Sequence, residues 1–342
     1  MYTSIGIRFE ANVDALNMAE TAGNYTKHRR VPYLVRDEEE NKYKSLYVPA
    51  LSGESLGHGF QALLVREAKN HYQDKAPVCE KCAQNEFFKS MNWKNLEPKL
   101  KALDIKKSQK DLTPEDIEAI VLKACLIEDI GGYMYAEKPP VKRTSAFQVS
   151  YALPIKSAVH YATTEPQLHA RHAQMTGKEK KGETSEQMIY YIETGSAIYG
   201  FTFNIDLGII GKSTLGQSEI LKEKQRKERQ EIALKALMRM LSSQQFGAKL
   251  SRFFPVGSIL TVAATITKGP FSITSPIYDG YITKSHNRLK IYNETFPEEK
   301  ATLVISTTGN EQGESLAEDD ISTQVATPEA VIKTILDRLK QD

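Results

Sequence analysis

No stretch of apolar residues in this 342-residue chain approaches the roughly 18 that a membrane-spanning helix needs. The first residues also lack the charged-then-apolar pattern of a secretory leader. Cysteine is scarce: there are three, one unpaired by arithmetic, which fits a reducing compartment rather than a disulfide scaffold. The expectation is an intracellular, cytoplasmic protein with no membrane partner. Also missing are a phosphate-binding glycine loop, a dinucleotide fingerprint, a nucleophile elbow, the clustered aspartates of a two-metal site and a convincing Ser/His/Asp order. There is no internal repeat. With 40% hydrophobic and 26% charged residues and a mean hydropathy of −0.43, the chain reads as globular. It is long enough for one large domain or two modest ones, and the missing catalytic set points toward binding rather than chemistry.

Charge is plentiful but uneven. Residues 294–342 hold 4 Lys/Arg against 11 Asp/Glu, and residues 1–293 hold 41 against 32. A basic body with an acidic terminal segment favours a polyanionic ligand. Gly23-Asn24-Tyr25-Thr26-Lys27-His28-Arg29-Arg30 gathers three cations, an imidazole, an aromatic ring and small polar groups. A loop leaving a strand end can aim most of these at one ligand. Arg and Lys then contact phosphates, Tyr stacks on a base, and Asn reaches a base edge or a 2′-hydroxyl. The plain alternative is a solvated basic turn. Two further segments have the same character: Val141-Lys142-Arg143-Thr144-Ser145 and Gly247-Ala248-Lys249-Leu250-Ser251-Arg252-Phe253-Phe254. Three such elements, each beside a strand, point to a nucleic acid.

The pattern predicts strands at 4–10 (half-buried), 43–48, 147–153, 199–205 and 259–266. Helices are expected from Ser52 as N-cap to about His71, after Thr113-Pro114-Glu115-Asp116 up to Gly131-Gly132, over 219–243, and after Thr327-Pro328-Glu329. Gly57 and Gly59 inside the first helix each cost near 1 kcal/mol relative to Ala, which implies close approach of a ligand or another backbone. Residues 72–112 read as a charged peripheral insertion, and 160–186 as a long polar excursion ending in Lys178-Glu179-Lys180-Lys181-Gly182. Strands and helices mix without βα alternation, so the class is α+β.

Among chemistry-bearing side chains, His169 and His172 lie one turn apart if helical, but no ligands at metal spacing accompany them. Cys79-x-x-Cys82 is half of a zinc or redox motif without a second pair, and Cys125 in an apolar run reads as a small hydrophobe. No catalytic residue, metal ligand or cofactor is therefore assigned. Helix termination accounts for Asp129 beside the glycine pair.

Several segments in one order resemble the CRISPR-associated Cas-seven family, in particular the archaeal type I-A backbone subunit of the DevR (Csa-two) group. They are Gly23–Arg29, Ser52–Gln61, Asp129–Ala136, Val141–Ser145, the His169 region, Gly195–Tyr199 and Lys249–Pro255. The 72–112 insertion and the tail after about residue 270 match weakly or not at all. The resemblance implies a single domain with an RRM-like, ferredoxin-type antiparallel palm (about 1–71, 113–155 and 191–293), helical insertions and a projecting thumb (about 156–190). It implies a non-catalytic subunit that lines up in copies along CRISPR RNA as the spine of a Cascade complex. Its partners would be that RNA, target DNA through the guide, further copies of itself, a Cas-five-type subunit and a small subunit. By matching positions, RNA would be held by Asn24, Lys27, His28, Arg29, Arg30, Ser52, Gly53, Ser55, His58, Gln61, Lys142, Arg143, Thr144, Ser145, His169, Arg171, Lys249, Arg252 and Phe253. The rivals are a metal-independent CRISPR repeat RNA endonuclease using His28 or His169, and a zinc-stabilised scaffold.

Overall fold

Along Tyr2–Asp14 (β1), Ile5, Ile7, Phe9 and Ala11 alternate with polar and small residues, and the segment forms a central strand. The expected half-burial does not hold, because Ser4 and Arg8 on the second face are buried too. Arg8 donates from Nε to the Pro276 carbonyl at 2.6 Å and from Nη2 to the Tyr278 carbonyl at 2.9 Å, and it lies over the Tyr281 ring. A long cation can be buried when acceptors meet it at every donor, and residues 271–289 supply that cover.

The computed structural model describes residues 1–37, 41–171, 188–216, 219–308, 316 and 319–341, without the side chains of Arg171 and Met188. After β1 come β2 (Met18–Ala22), β3 (Tyr25–His28), β4 (Arg30–Asp37), β5 (Lys42–Pro49) and α1 (Gly53–Tyr72). Then follow α2 (Glu80–Ala83), α3 (Trp93–Ala102), α4 (Pro114–Ala124), α5 (Leu126–Gly131), β6 (Tyr133–Tyr135) and β7 (Val141–Arg143). Next are β8 (Phe147–Val149), β9 (Leu153–Pro154), β10 (Thr163–Arg171), β11 (Met188–Asp206) and α6 (Glu223–Ser243). The described chain ends with β12 (Ile259–Thr267), α7 (Tyr281–Thr295), β13 (Thr302–Thr307), β14 (Ser322–Gln324) and α8 (Pro328–Gln341).

The main sheet runs β14-β13-β12-β1-β11-β3-β2, with β8, β9 and β10 also on β11. Among the described residues only β3 with β11 and β13 with β14 pair in parallel, so the sheet is mixed and the class is α+β. The spine is β11, 19 residues and roughly 60 Å long at ~3.3 Å per residue. Its second half pairs with β1 on one edge and with β8 and β9 on the other. Its first half carries β3, with β2 outside it, on the β1 edge and β10 opposite, forming a four-stranded blade beyond the palm. Helices α1, α6 and α8 cover one face; Phe9, Phe201 and Phe203 of the sheet meet Leu56, Phe60, Ile232, Leu237, Met240 and Ile335 there. A second cluster joins α3 and α4 to the β6–β7 hairpin.

Caps explain the helices that were legible. Ser52 Oγ accepts from the Ser55 N–H at 3.2 Å, and Thr113 and Asp116 form a reciprocal box ahead of Pro114. Elsewhere the outcome differs. The helix expected to reach Gly131 breaks at Cys125, because the Leu126 N–H turns away to the Pro77 carbonyl at 2.7 Å. Residues 25–37 are strands rather than a loop, and 147–153 is two short strands. The supposed excursion supplies β10, and β11 begins just after it; its Lys178–Gly182 tip and His172 lie outside the described residues. The acidic tail is woven into the sheet through β13 and β14.

Arg143 and Asp129 correct two expectations at once. Arg143 is buried, donating from Nε to the Asp129 carbonyl at 3.0 Å, from Nη2 to Asp129 Oδ1 at 2.8 Å and from Nη1 to Glu118 Oε1 at 3.2 Å. The Lys212 and Ile209 carbonyls accept from it as well, so no donor remains for a phosphate. Asp129 does not merely end a helix. Its second oxygen accepts from Arg229 at 2.8 Å, and it is the hub of a buried network. Burial alone would raise the Glu118 carboxyl, but hydrogen bonds from Ser213 and Thr214, with Arg143, hold it below the ordinary range. Asp129→Asn removes the carboxylate that Arg143 and Arg229 share, leaving Glu118 as the counter-charge of Arg143, and should cost about 3–5 kcal/mol in urea unfolding. Lys107→Ala, which removes the exposed 2.7 Å pair with Asp116, should cost under ~1 kcal/mol. Equal effects of the two would show that the network does not support the fold.

Candidate nucleic-acid interface

The junction of palm and blade is fixed by a buried ion pair. His28, at the end of β3, places Nε2 2.7 Å from Asp14 Oδ1, and both side chains are fully buried. The other ring nitrogen faces the Arg29 carbonyl at 3.0 Å, and an imidazole with acceptors at both nitrogens is held as the doubly protonated cation. Burial by itself lowers the His28 pKa. The hydrogen bond and charge of Asp14, with the Arg29 carbonyl and Glu193, outweigh it and raise the value above the ordinary one. Asp14 Oδ2 accepts from the Tyr199 hydroxyl at 3.1 Å, and Asp14 Oδ1 from the Leu16 N–H at 3.2 Å. His28 therefore has no atom to offer an RNA; it is a rivet between β1, β3 and β11.

On the blade, paired residues share a face, so Thr26, Ile192, Tyr190 and His169 lie together. The His169 ring stacks on Tyr190 with centroids 5.3 Å apart and 16° between planes, and meets the edge of Phe253 at 5.7 Å. Arg252 Nη1 donates to the Tyr190 hydroxyl at 3.3 Å. An open cavity of about 330 Å³ is lined by Thr26, Tyr190, Ile192, Lys249, Ser251, Arg252 and Phe253. Lys249 and Arg252 are exposed. His169 Nε2 is buried with no hydrogen-bond partner among the described residues. This face is cationic at its rim, aromatic at its floor and supplied with hydroxyls. Such a surface suits a phosphodiester strand with bases to stack.

The structure thus brings together Lys249, Arg252, Phe253 and His169, although Phe253 is buried in a small cluster with Ala15 and Ile192 and cannot stack on a base unless it moves. Alternation puts Lys27 on the opposite face, exposed and 3.7 Å from the exposed Glu20. Asn24 donates to the Ile189 carbonyl at 3.1 Å, Arg29 to Asn17 Oδ1 at 3.0 Å and Arg30 to the Tyr47 carbonyl at 2.8 Å. The Arg171 side chain lies outside the described residues. Ser52 is buried and used as a cap, so its hydroxyl is not presented, and Gly53 lies against the Val149 carbonyl. Ser55 is half-buried in a first turn that also carries Glu54, which disfavours a phosphate there. His58 is exposed with its ring against Phe87 at 4.9 Å. Gln61 donates to the Gly57 carbonyl of its own helix. Gly57 and Gly59 admit protein rather than a ligand: the Phe147 ring packs on the first and the Gln245 carbonyl approaches the second. Lys142 and Thr144 are exposed on and just beyond β7, while Ser145 donates to the Ile130 carbonyl at 3.2 Å. Sequence reasoning missed Tyr190, Thr26 and Asp14. The alternation of Tyr190 and Ile192 with Tyr191 and Glu193 was the available signal for the first.

Residues 5–286 match the model of the family described as CRISPR-associated negative auto-regulator DevR/Csa2. A relative from Saccharolobus solfataricus, CRISPR-associated protein Cas7/Csa2 1, is 35% identical over 80% of this chain and 81% of its own. The chain belongs to the DevR/Csa2 family. A second Saccharolobus solfataricus member, CRISPR-associated aCascade subunit Cas7/Csa2 2, is 34% identical over 83% of this chain and 85% of its own. A chain of a solved CRISPR RNA-guided surveillance complex, pre-nicking, superposes with a TM-score of 0.58 at 12% identity, covering 99% of this chain and 100% of its own. A chain of another CRISPR RNA-guided surveillance complex gives 0.51 at 11% identity, covering 99% of each. At such identities the likeness is one of fold, and it covers almost the whole chain.

Because Asp14 raises the His28 pKa, the pair's contribution is complete below the unfolded value near 6.5 and is lost as pH rises through the folded value. The urea midpoint of the parent should therefore fall between pH 6 and pH 9 by more than that of His28→Gln. An equal fall in both proteins would mean that the ring is not held charged.

Proposed function

We propose that this chain is a CRISPR RNA-binding backbone subunit of a Cascade complex of type I-A, and that it performs no chemistry of its own. The observation that carries the reading is the convergence of Lys249, Arg252, Thr26 and the His169–Tyr190 stack on one cavity of the blade. Family membership supports it, as does the Saccharolobus solfataricus relative that is an aCascade subunit. The fold neighbours, which belong to CRISPR RNA-guided surveillance complexes, point the same way. The guide runs along the cavity face, with phosphates at Lys249 and Arg252 and a base near the aromatic floor. Contacts to phosphates and sugars are the same at every nucleotide, so binding is largely independent of guide sequence. Lys27, Arg30 and Lys142 contact RNA only where the strand or a neighbouring copy wraps past the blade. The remainder of the reading follows the family: an RRM-like palm, a thumb over about 156–190, and copies repeating along the guide. Target DNA pairs with that guide, and Cas-five-type and small subunits sit alongside. The endonuclease alternative loses His28, which is buried and ion-paired, and rests on His169 alone.

Fluorescence anisotropy with a CRISPR RNA at several salt concentrations tests the site. Lys249→Ala with Arg252→Ala should weaken binding and make the log–log salt slope shallower by about 1.4, roughly 0.7 for each lost phosphate contact on a single strand. Lys27→Ala alone should change the slope less. A slope untouched by the double variant would remove the cavity face from the interface. Repeat RNA incubated without metal should remain intact; a single cut abolished by His169→Ala would replace the backbone reading with the nuclease one.

A further inference from the structure

We infer that Cys79, Cys82, Cys125 and Glu128 form a mononuclear zinc site that clips residues 76–112 to the palm. One ligand atom from each of the four lies within 4.8 Å of all the others. A tetrahedral ion with Zn–S bonds near 2.3 Å separates its sulfurs by about 3.8 Å, so small adjustments close the shell. An iron–sulfur cluster holds its cysteines further apart than a single ion does, and hard cations do not choose three sulfurs.

The backbone delivers the four groups in two pairs. Cys79 is the extended residue ahead of α2 and Cys82 lies within it, where the Ala83 N–H donates to the Cys79 carbonyl at 2.9 Å. This short turn carries the two sulfurs to one side. Cys125 sits in extended conformation at the break between α4 and α5, and Glu128 lies in the first turn of α5. Residues three apart at a helix start share a face. The half-motif seen in the sequence thus finds its second half 43 residues on, and Cys125 is more than the small hydrophobe its apolar neighbours imply.

The surroundings are those of a ligated carboxylate. Cys82, Cys125 and Glu128 are 0% exposed. Lys99 Nζ, itself buried, is 2.8 Å from Glu128 Oε1, and Ser90 Oγ donates to Oε2 at 2.6 Å. Such partners orient a carboxylate while leaving lone pairs for a metal. Cys79 Sγ is already 3.4 Å from Oε1. Three thiolates and a carboxylate around a divalent ion leave two negative charges. Lys99 offsets one, and Lys89, whose Nζ donates to the Gly131 carbonyl at 2.6 Å, lines the same cavity as Lys99 and Cys79. An open cavity of about 630 Å³, lined by Cys79, Lys89 and Lys99 among others, provides an entry path to the half-buried Cys79.

The test uses the full chain purified in reductant without a histidine tag. Elemental mass spectrometry should find about one zinc per chain, released when a mercurial caps the thiols. Cobalt exchanged into the site should give the thiolate-to-metal and visible d–d bands of a tetrahedral thiolate centre. Cys125→Ser should lower the zinc content at least about tenfold, and Glu128→Gln should retain the thiolate band while shifting the d–d bands. A folded parent that holds no zinc and takes up no cobalt overturns the proposal, as does a folded Cys125→Ser that keeps its metal. Should the serine variant fail to fold, the cobalt spectrum of the parent still decides.

Discussion

A buried charge pair fixes the junction of the blade and the palm. Taking an imidazolium and a carboxylate out of water costs several kcal/mol for each ion. The 2.7 Å contact between His28 and Asp14 offsets this only because the Tyr199 hydroxyl, the Leu16 N–H and the Arg29 carbonyl satisfy the remaining atoms. The same junction crowds Gly195, where a Cβ would stand 3.1 Å from Asp14 Oδ2 and 3.2 Å from His28 Nε2, so a side chain there would press on the pair. Neighbouring contacts take their position from it. The Arg29 N–H donates to the Asn17 carbonyl, and Asn17 Oδ1 accepts from both Arg29 and the Ser52 N–H that begins α1. The β3 register, and with it the place of Thr26 beside Ile192 and Tyr190, follows from where Asp14 ends β1.

Local signals carried the parts of the fold that were legible in the sequence. Ser52, the Thr113–Asp116 box and Thr327-Pro328 marked helix starts, and the apolar run after Ile259 marked β12. Burial of charge was not legible. Lys142 and Arg143 are adjacent and chemically alike, yet alternation turns the first outward and the second toward Glu118 and Asp129. Nothing local says that an acceptor 14 or 25 residues away will be waiting. The start of β11 was hidden because Tyr190 and Ile192 directly follow a long polar stretch. Of the candidate site, the Lys249–Phe253 segment and His169 were visible as residue types, whereas their meeting over Tyr190 depends on strand pairing.

The segments on which the family resemblance rests are mostly joints rather than ligand contacts. The first contains His28, the second the Ser52 cap and the Gly57 contact with Phe147. The third and fourth contain the Asp129–Arg143 pair, and another contains Gly195. Polar residues that serve a buried junction tolerate few replacements, because removing one partner leaves the other unsatisfied. A family read through such residues is recognised by how its elements are fastened. The Lys249–Pro255 segment and His169 join recognition to the candidate ligand surface, and charge and spacing alone reached a nucleic acid and no further.

Strand β11 serves the palm with one half and the blade with the other through a single uninterrupted backbone. Side chains in a strand alternate, so adding or deleting one residue between 188 and 206 would exchange the two faces of everything on one side of the change. The aromatic floor would then turn from the cavity to the opposite face, or the phenylalanines of the core would turn toward α7. Individual substitutions along the strand affect only their own neighbours. Through this stretch, drift in a lineage can therefore alter composition gradually while the residue count stays fixed.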